Sequence, residues 1–583
     1  MLSVLGRDWQ ETKIDERKIE KYSQKYNLSN FISKLLINNK FDEDEIYYLN
    51  QKPEIDNTYK NLEDFKSAAK LIDEHIEQNK KILLFGDYDV DGGCSVALLA
   101  KYLKFKQANF DFFIPDRVKD GYGPNLTLMK QFFKEKINLI IFVDCGTNSF
   151  DEINFLNSNG IKSIIIDHHK IDNFKINPSV FINPLKSSDY KKYNFFCSTN
   201  LVFFLLRFIL SKNKENIKFN LSKYLIYAAL GTICDVMPLR GINRYLSIEA
   251  INSFNLNEEN SFFHILKLKK INRKLTIDDL AYLIGPVLNS GGRLGKSKLA
   301  TKLLISEDKK EVEKISTELL YTNEKRKIIE DKTLQKIEKK IDLNKNYIFH
   351  VEDSISEGIL GIIAARLAEK YNRPVVLATY SGNIIKGSAR SIEEIDIGKI
   401  LLNLKQNNIL IKGGGHAMAG GFSSLKKNIK KIDEYLQKQI KINRNNNFNN
   451  YLSQHSLSLI NNSFLKDLRK ISPFGSKNPS PILLFNKIKI IKTKIINKKH
   501  IFFVAKSGTK SCDGMAFNSL NNQIGNILLY NKREISIISE LKESTYKNKS
   551  KLQLILKDII WKFKLWINKI LFIEYKLESI IST

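Results

Sequence analysis

An apolar run that ends in three alternating aspartates places the strongest constraint on how this chain folds. Residues 81–85 have the composition of a buried strand, and three carboxylates follow it at alternate positions, Asp87, Asp89 and Asp91. Two glycines then open a helical pattern. In an open α/β sheet, such a turn lies at the carboxyl end of a strand, where ligands bind. The carboxylates would repel one another without a cation, and their oxygen atoms suit Mg²⁺ or Mn²⁺.

The pattern that begins at residue 81 predicts a parallel, doubly wound sheet. Strands are predicted at residues 81–86, 109–114, 138–143 and 161–166, with helices between them, for example at residues 125–133 and 150–159. Alternation of strands and helices at this spacing is typical of a parallel sheet that has helices on both faces.

Polar residues follow the later strands of this predicted sheet as well. Asp144 follows the third strand, the run Asp167-His168-His169 follows the fourth, and a later helical segment leads into Asp235. A single Asp at such a place is usually a turn former or a helix cap, and a single His is usually structural. Independent caps do not explain paired histidines beside an aspartate at the same edge of one sheet. The pattern therefore favours a shared metal site.

Composition limits the remaining classes of function. At ~150 residues per domain, 583 residues suffice for three or four domains. The net charge of +30 favours a polyanionic partner, although a composition rich in Lys, Asn and Ile explains it equally well. The five cysteines form no CxxC pair, which argues against a disulfide framework or a thiolate zinc site. No apolar run reaches the ~18 residues of a membrane span and no signal peptide is evident, so a cytoplasmic protein without a membrane partner is expected.

The motifs resemble those of the DHH phosphoesterase superfamily: Asp87-Tyr-Asp-Val-Asp-Gly92, Asp144-Cys-Gly146, Asp167-His-His169 and Asp235. Within this superfamily the chain resembles the RecJ exonucleases, from about residue 40 to about residue 560. Three later segments agree with this resemblance, residues 289–295, 386–391 and 413–417.

The resemblance implies an α/β chain of several domains. A helical N-terminal lead-in (1–75) precedes a DHH catalytic domain with a doubly wound parallel sheet (76–305). A long connector helix (306–345) leads to an α/β DHH-associated domain that binds substrate (346–445). A C-terminal OB-like β-barrel that binds nucleic acid (446–560), with strands near 487–495, 500–505, 534–541 and 551–556, precedes a tail of unassigned role (561–583).

The resemblance also implies two divalent cations, Mn²⁺ or Mg²⁺, whose expected ligands are Asp87, Asp89, Asp144, His168 and Asp235. Two such ions lower the pKa of a bound water and stabilise both the attacking and the leaving oxygen atoms. Asp144 is expected between the two ions, and Asp91 outside the ligand set. Asp167 is expected to orient a histidine through its second ring nitrogen. His169 is expected to contact the phosphate beside the scissile bond, with a structural histidine as the alternative.

Recognition of the strand end is expected to use guanidinium groups, which bind phosphate through paired hydrogen bonds. By resemblance, Arg117, Ser388 and Arg390 form a pocket for the terminal phosphate, and Arg293 contacts the backbone near the cut. The glycine-rich motif contributes further substrate contacts through Gly414, Gly415 and His416. A surface salt bridge is the alternative for each arginine. In the barrel, the candidates for base stacking are Phe485, Phe502 and Phe503, with a place in the core as the alternative.

The sequence departs from the family pattern at Val287, where Arg is typical, at Ile355-Ser356, where Trp-His is typical, and at Lys477, where Gly is typical. The implied function is a single-stranded-DNA-specific 5′→3′ exonuclease of DNA repair and recombination that releases 5′-mononucleotides. It would act as a monomer together with a helicase and a single-stranded-DNA-binding protein. The alternatives are a DHH phosphodiesterase for short RNA or cyclic dinucleotides, and a non-catalytic DNA-binding scaffold, which would have lost metal ligands.

Overall fold

The computed structural model describes residues 1–560 except 50, 52, 54–61, 117–118, 173–174, 189–192, 213–217, 257–260, 354, 442–447 and 547–548. The chain forms two compact units. Met1–Lys52 and Arg444–Thr583 make up the first, and Pro53–Asn443 make up the second. Within the described residues, no helix combines the length and the apolar character that a membrane crossing requires. The predicted tail, 561–583, lies outside the described residues.

The N-terminal part of the first unit contains a strand as well as helices: β1 (Asp8–Glu11), α1 (Glu16–Tyr26), α2 (Asn30–Asn38) and α3 (Glu43–Tyr47). Each helix begins at a side chain that accepts a hydrogen bond from its first turn, at Asp15, Ser29 and Asp42. The next helix, α4 (Glu63–Glu77), belongs to the second unit. Residues 1–52 therefore fold with the C-terminal region, and residues 62–75 fold with the catalytic domain.

The catalytic domain is organised around a parallel sheet of five strands: β2 (Ile82–Gly86), β3 (Phe110–Phe113), β4 (Leu139–Val143), β5 (Lys162–Ile166) and β6 (Val180–Ile182). Their order is β3-β2-β4-β5-β6, and every pair is parallel. The predicted doubly wound sheet is confirmed. β2 and β4 are buried along their whole length, because helices cover both faces of such a sheet.

The helices of this domain are α5 (Val90–Phe105), α6 (Leu126–Lys134), α7 (Phe150–Ser158), α8 (Ser198–Lys212), α9 (Leu225–Cys234), α10 (Gly241–Ser253), α11 (Phe263–Leu268), α12 (Gly285–Arg293) and α13 (Lys298–Ile305). A short helix, Ile277–Asp279, and a π-helical turn, Leu280–Ile284, lead into α12. α5 is buried from Val90 to Leu103 and packs against α8, α9 and α13. A helix that is apolar on all sides is a central helix, and this one begins at the aspartate turn.

A long helix and a mixed sheet complete the second unit. The predicted connector helix is confirmed as α14 (Lys309–Glu338). The DHH-associated domain consists of β7 (Ile348–Val351), α15 (Glu357–Tyr371), β8 (Val375–Ser381), β9 (Ile384–Arg390), α16 (Ile397–Gln406), β10 (Lys412–His416), β11 (Ala419–Leu425) and α17 (Ile429–Gln439). Its strand order is β10-β11-β9-β8-β7.

The C-terminal region of the first unit is the predicted OB-like barrel. It contains β12 (Phe448–Tyr451), β13 (Ser453–His455), α18 (Asn462–Ile471), β14 (Ile482–Ile496), β15 (His500–Ser507), β16 (Lys510–Ala516), α19 (Gln523–Tyr530), β17 (Ile535–Tyr546) and β18 (Lys549–Ile560). β14 pairs with both β15 and β17, which closes the barrel. The strand β16 was missed by sequence reasoning. β1 pairs in parallel with β12, so the chain start is part of this unit.

The barrel corrects the expectation for two of the three stacking candidates. Phe485 and Phe503 are fully buried in its core, and only Phe502 is partly exposed. A Cβ atom on Gly514 would lie 2.2 Å from the ring of Phe503, which shows that this ring faces inward across β16. An aromatic residue that packs in a core has no face free for a base, so neither ring can stack on nucleic acid.

The structure shows the burial or the backbone conformation at the three positions that depart from the pattern of the resembled family. Val287 is fully buried in the catalytic core, and Ile355 is buried against α15. Lys477 has a left-handed backbone conformation, with φ 59°. Glycine adopts this conformation without strain, whereas a side chain costs roughly 1–2 kcal/mol there. The usual glycine at this position therefore has a physical reason, and the lysine is tolerated at a cost in stability.

Candidate active site

The motif residues gather at the carboxyl edge of the catalytic sheet. β2 and β4 are adjacent parallel strands, and the chain leaves them toward opposite edges of the sheet. Ligands bind at such a switch point, because the loops that follow the two strands diverge and leave a crevice between them. These loops carry Asp87 and Asp144.

The turn after β2 brings two carboxylates close together. Asp89 is the N-cap of α5 and accepts a hydrogen bond of 3.1 Å from the backbone N–H of Gly92. A Cβ atom on Gly92 would lie 2.6 Å from the backbone nitrogen and oxygen of Asp87. Only glycine permits this close approach, which holds Asp87 and Asp89 in one tight turn.

Asp91 connects the same turn to a second helix. Its buried carboxylate accepts hydrogen bonds from the backbone N–H groups of Ser198 (2.7 Å) and Thr199 (3.0 Å) and from the Thr199 hydroxyl (2.6 Å). These residues begin α8, where the helix dipole favours negative charge. A Cβ atom on Gly231 would lie 2.5 Å from Oδ1 of Asp91. Asp91 therefore fits tightly between α8 and α9, and its Oδ2 also lies 3.9 Å from Nε2 of His168.

Asp144 occupies the centre of the site in a strained conformation. Its φ is 60°, a value uncommon for any residue other than glycine. Its Oδ1 accepts a hydrogen bond of 3.4 Å from the Ser198 hydroxyl. Burial, together with the carboxylates of Asp91, Asp89 and Asp87, raises the pKa of Asp144 well above its ordinary range. A bound cation would relieve this repulsion and restore the ionised form.

Asp167 organises the two histidines that follow it. Its carboxylate accepts hydrogen bonds from the backbone N–H groups of His168 (2.8 Å), His169 (3.2 Å) and Thr147 (3.2 Å), and from Nδ1 of His169 (2.7 Å). Burial raises the pKa of Asp167, but the contact with His169 outweighs burial and lowers it. Burial lowers the pKa of His169, but the contact with Asp167 outweighs burial and raises it to about 9.

His168 faces the carboxylates directly. Its Nε2 lies 3.3 Å from Oδ1 of Asp144 and 3.4 Å from Oδ2 of Asp235, and within the described chain this buried nitrogen has no hydrogen-bond partner. Burial lowers the pKa of His168, which favours the neutral imidazole that ligates metals. Burial and the carboxylates of Asp91 and Asp89 raise the pKa of Asp235 to about 8.

These side chains form three overlapping groups whose ligand atoms lie within 4.8 Å of one another: Asp87, Asp89 and Asp144; Asp91, His168 and Asp235; and Asp144, Asp167, His168 and His169. Asp144 and His168 each belong to two of the groups. Clustered buried carboxylates beside a neutral imidazole are the donor set of divalent cations. The raised pKa values of Asp144 and Asp235 and the partnerless nitrogen of His168 fit such ions.

A buried amide holds the loop that carries Asp235, and sequence reasoning missed it. The following residue, Val236, has φ 56°, a conformation rare for a β-branched residue. Nδ2 of Asn243 donates to the carbonyl oxygens of Phe195 (2.6 Å) and Pro238 (3.1 Å). Asn243 therefore joins the loop of Asp235 to the loop that precedes α8. No short motif could have revealed this, because Phe195 and Asn243 are 48 residues apart.

Tyr122 is a second residue that sequence reasoning missed. Its side chain is half exposed, and its hydroxyl lies 3.3 Å from Nε2 of His169. The flanking Gly121 and Gly123 have φ values of 85° and 71°, which only glycine adopts without strain. The sequence Asp-Gly-Tyr-Gly follows the second strand, and two glycines around a tyrosine are the signal that could have revealed a projecting aromatic side chain. Arg117, in the same loop, lies outside the described residues.

Arg293 lies where the catalytic domain meets the DHH-associated domain. A Cβ atom on Gly292 would lie 2.6 Å from the carbonyl oxygen of Tyr88, so α12 packs directly on the aspartate turn. Nη1 of Arg293 donates to the carbonyl oxygen of Gly358 at 3.2 Å. The side chain therefore reaches from the edge of the metal site to the first turn of α15.

The other predicted substrate residues share one face of the DHH-associated sheet. Across three adjacent strands, Ser388 pairs with Gly421, which pairs with Gly414. In the neighbouring row, Arg390 pairs with Ala419, which pairs with His416. Because directly paired residues of antiparallel strands point to the same face, these side chains lie on one surface. Small residues in β11 keep that surface shallow.

Two further contacts define this surface. Nη1 of Arg390 donates to the Ser388 hydroxyl at 3.2 Å, and both side chains pack against α15 at Gly361. Gly415 has φ 150°, and a Cβ atom there would lie 2.3 Å from the carbonyl oxygen of Ala419. The glycine is thus required by the tight hairpin between β10 and β11, and His416 is exposed beside it.

Comparison with known families agrees with this architecture. Residues 81–232 match the DHH family, N-terminal domain; residues 344–442 match the DHHA1 domain; and residues 453–558 match the RecJ OB domain. The matches cover Asp87, Asp89, Asp144 and His168 of the metal site, the surface that carries Ser388 and Arg390, and the barrel.

Curated relatives and solved structures extend the similarity. The single-stranded-DNA-specific exonuclease RecJ of Haemophilus influenzae is 30% identical over 407 residues, which cover 64% of this chain and 70% of that protein. RecJ of Bacillus subtilis is 26% identical over 94% of this chain and 70% of its own length. The crystal structure of Thermus thermophilus RecJ in complex with Mn²⁺ superposes with a TM-score of 0.77 at 22% identity, covering 96% of this chain and 80% of that one.

A crystal structure of exonuclease RecJ bound to manganese is similar to a large part of this chain. The two chains are 28% identical with a TM-score of 0.56, and the match covers 64% of this chain and 93% of the chain in the crystal structure. The domain matches, the identity to the Haemophilus relative and the arrangement of the site lead to one conclusion. The chain belongs to the RecJ family of single-stranded-DNA-specific exonucleases.

Proposed function

We propose that this protein is a metal-dependent exonuclease that hydrolyses phosphodiester bonds of single-stranded DNA from the 5′ end and releases 5′-mononucleotides. The observation that carries the proposal is the convergence of Asp87, Asp89, Asp144, His168 and Asp235 at the switch point of the catalytic sheet. A non-catalytic DHH scaffold would have no reason to keep these carboxylates buried at a cost to its own stability.

The cofactors are two divalent cations, Mn²⁺ or Mg²⁺. Asp87 and Asp89 would hold one ion and His168 and Asp235 the other, with Asp144 between them, since Asp144 belongs to two of the ligand groups. When bound, such a pair of ions activates a water molecule and neutralises charge on the phosphoryl oxygens. Asp91 fixes the turn that carries Asp87 and Asp89 through its bonds to α8.

His169 contacts the phosphate beside the scissile bond in this proposal. The carboxylate of Asp167 holds its Nδ1 at 2.7 Å, so that Nε2, which lies 3.3 Å from the Tyr122 hydroxyl, is the ring nitrogen not bound by Asp167. A protonated imidazole at this position would donate a charge-assisted hydrogen bond to a phosphate oxygen. Asp167 therefore acts by orienting His169 and by keeping its charge.

The terminal phosphate binds to Arg390 and Ser388 in this proposal, with Arg117 as a third contact. Arg293 holds the backbone near the cut, and the shallow surface toward Gly414, Gly415 and His416 accepts the nucleotide. The support is that the strand register puts Ser388, Arg390, Gly414 and His416 on one face, and that Arg390 and Ser388 pack against α15 at Gly361. The OB-like barrel binds single-stranded DNA beyond the active site in this proposal, as OB folds do through basic grooves and stacking aromatic side chains.

The biological setting is part of the same proposal. The reaction belongs to DNA repair and recombination, in the cytoplasm, where a monomeric enzyme would receive single strands from a helicase and a single-stranded-DNA-binding protein. The functional division is the catalytic domain at residues 76–305, the connector at residues 306–345, the substrate-binding domain at residues 346–445 and the barrel at residues 446–560.

A time course on a single-stranded oligonucleotide tests this function. The strand would carry a 5′ phosphate and a 3′ label, in the presence of Mn²⁺ or Mg²⁺. We expect progressive shortening from the 5′ end with release of 5′-mononucleotides. Asp144→Ala should lose activity by about three orders of magnitude or more, because the metals supply several kcal/mol of transition-state stabilisation and each ~1.4 kcal/mol is tenfold in rate.

The same experiment separates the competing functions. An intact long strand beside rapid cleavage of dinucleotides would assign the protein to the DHH phosphodiesterases of small substrates. Binding of the strand without cleavage under either metal would support the scaffold. Shortening from the 3′ end would contradict the proposed role of Arg390 and Ser388.

A further inference from the structure

One helix of the DHH-associated domain contacts all the described residues that are proposed to hold the DNA end. The carbonyl oxygen of Gly358, in the first turn of α15, accepts the hydrogen bond from Arg293 at 3.2 Å. One turn later, a Cβ atom on Gly361 would lie 3.0 Å from Nη2 of Arg390 and 3.1 Å from the Ser388 hydroxyl. The position of α15 along its own axis therefore sets the distance between Arg293 and the pair Arg390–Ser388.

The middle of α15 is held by a buried carboxylate on the connector helix. Nη2 of Arg366 lies 3.0 Å from Oε2 of Glu330, and Nη1 lies 3.1 Å from Oδ1 of Asp331. Oε1 of Glu330 accepts a charge-assisted hydrogen bond of 2.7 Å from Nη1 of Arg326, whereas Oε2 forms an ion pair with Arg366 without hydrogen-bond geometry. Glu330 has no exposed surface, so a fully buried carboxylate binds one guanidinium of its own helix and one of α15.

The connector helix also contacts the helix that carries Arg293. The Ser290 hydroxyl donates to the carbonyl oxygen of Leu319 at 3.2 Å, and a Cβ atom on Gly291 would lie 3.4 Å from the Leu319 side chain. α14 therefore packs on α12 near Leu319 and binds α15 at Glu330, about three turns further along. It contacts both α12, which carries Arg293, and α15, against which Arg390 and Ser388 of β9 pack.

The remaining contacts between α14 and α15 do less to fix the position of α15 along α14. Apolar residues such as Ile337 and Ile363 pack in one cluster, and apolar burial is not directional. Lys370 also pairs with Glu338 at 2.6 Å, but the lysine side chain is 55% exposed, and exposed ion pairs contribute little. The guanidinium of Arg366 forms an ion pair with the fully buried Glu330 and donates a hydrogen bond to Asp331, and it is thus the contact that fixes how far α15 extends toward Arg293.

We propose that Glu330 is a positioning residue for recognition of the 5′ phosphate, although no part of it reaches the DNA-binding surface. It holds α15 through Arg366 so that Arg390 and Ser388 stand at the correct distance from Arg293 and the metal site. This inference rests on the proposed function of the Arg390–Ser388 pair as the terminal-phosphate pocket. Loss of the Glu330 charge lets α15 shift along α14 and weakens recognition of the end while leaving hydrolysis itself intact.

The experiment uses the full chain with Mn²⁺ and two kinds of substrate. Bis(p-nitrophenyl) phosphate reports on the metal site alone, and a pair of oligonucleotides with a 5′ phosphate or a 5′ hydroxyl reports on end recognition. For Glu330→Gln, we expect the ratio of kcat/KM between the two oligonucleotides to fall on the order of tenfold, within the range of effects that remote misplacement of a binding group produces. Hydrolysis of the small diester should stay within about twofold of the unsubstituted protein.

Glu338→Gln is the matched control, because it removes the same charge from the same helix and breaks the exposed pair with Lys370. It should leave the oligonucleotide ratio unchanged. Arg366→Gln is the second variant, in case loss of the buried Glu330 charge prevents folding. Its side chain is 41% exposed, and its removal leaves the pair of Arg326 with Glu330 in place. It should lower the oligonucleotide ratio as Glu330→Gln does.

Two results would overturn the proposal. In the first, a folded Arg366→Gln variant keeps the preference for the 5′ phosphate. In the second, the substitutions lower the small-diester and oligonucleotide activities in parallel, which indicates general damage. If the unsubstituted protein does not distinguish a 5′ phosphate from a 5′ hydroxyl, the terminal-phosphate pocket of the proposed function is itself wrong, and this inference falls with it.

Discussion

The metal site and the proposed terminal-phosphate pocket are built in opposite ways. The metal ligands all belong to one domain and meet at one edge of one sheet. The pocket draws Arg390 and Ser388 from one domain, and it lies beside Arg293 of another domain, which is proposed to hold the backbone near the cut. The metal site gathers negative charge at close range, whereas the guanidinium groups of Arg390 and Arg293 both lie against one helix, α15.

This difference implies that hydrolysis of the phosphodiester bond and recognition of the strand end can be altered separately. The geometry of the metal site depends on local backbone features such as the φ of Asp144 and the glycine at position 92. The geometry of the pocket depends on how two domains are held together by α14 and α15. Substitutions in the first should change hydrolysis of every substrate, and substitutions in the second should change only the choice of DNA end.

Among the substitutions that test this comparison, Asp167→Asn is expected to have the largest effect. Loss of the carboxylate weakens the orientation of His169, and residues that orient site groups typically contribute about 10- to 100-fold in activity. We expect that loss on both bis(p-nitrophenyl) phosphate and the oligonucleotide, with an unchanged preference for the 5′ phosphate. In the metal-free protein, the pKa of His169, measured by NMR, should fall from about 9, because its negative partner is gone.

Asp172→Asn is the control for that variant, because Asp172 is an exposed carboxylate a few residues along the same loop. It should leave both activities and the pKa of His169 unchanged. A loss of activity confined to the 5′-phosphorylated oligonucleotide would assign Asp167 to recognition of the 5′ phosphate. It would contradict the separation of hydrolysis from recognition of the strand end.

Arg390→Lys should have a smaller effect, and this effect should be on recognition of the strand end and not on hydrolysis. The substitution keeps the positive charge and removes the planar fork that binds phosphate through two hydrogen bonds. We expect the preference for a 5′ phosphate over a 5′ hydroxyl to fall about tenfold, equivalent to ~1.4 kcal/mol for one lost charge-assisted hydrogen bond. The kcat/KM ratio of the two oligonucleotides measures it, and the small diester should be hydrolysed at the original rate.

Arg373→Lys is the control in the same domain, since Arg373 donates to the carbonyl oxygens of Leu343 and Lys345 instead. It should leave the oligonucleotide ratio intact. If Arg390→Lys lowered hydrolysis of the small diester as strongly as it lowered the ratio, the two regions would not be separable.

The smallest effect expected is on the pH dependence of stability without metal. The folded protein raises the pKa of Asp235 to about 8 and that of His169 to about 9, so between about pH 5 and pH 8 the folded state binds more protons than the unfolded state. Stability contributed by these groups is present at low pH and is lost as the pH rises. The melting temperature in EDTA should therefore fall by a few degrees over this range, at about 2–4 °C per kcal/mol.

Mn²⁺ should reverse that trend, because the ions replace the protons and bind more tightly as the carboxylates ionise. Calorimetry at a series of pH values, with EDTA and with Mn²⁺, measures both curves. Asp235→Asn should flatten the EDTA curve. A melting temperature in EDTA that rose between pH 5 and pH 8 would contradict the charge repulsion inferred for the metal site.

The sequence by itself determined the parts of this protein that short-range chemistry controls. Alternating aspartates after a buried run predicted the turn at Asp87, and apolar strands ending in Asp144 and Asp167 predicted the parallel sheet and the edge where these residues meet. These inferences succeeded because strand period, helix caps and turn glycines act over a few residues. The long connector helix was predictable for the same reason, whereas the barrel was predicted from the resemblance to the family, with the strand β16 missed.

Only the tertiary structure decided the contacts between distant segments. Asp91 finds its partners at Ser198 and Thr199, Asn243 joins two loops around Asp235, and the chain start pairs with β12 more than four hundred residues away. Phe503 satisfies an alternating pattern equally well facing inward or outward, and packing against Gly514 turns it inward. Such choices depend on which surfaces meet in three dimensions, and the free energy of burying them is shared among residues that no local motif connects.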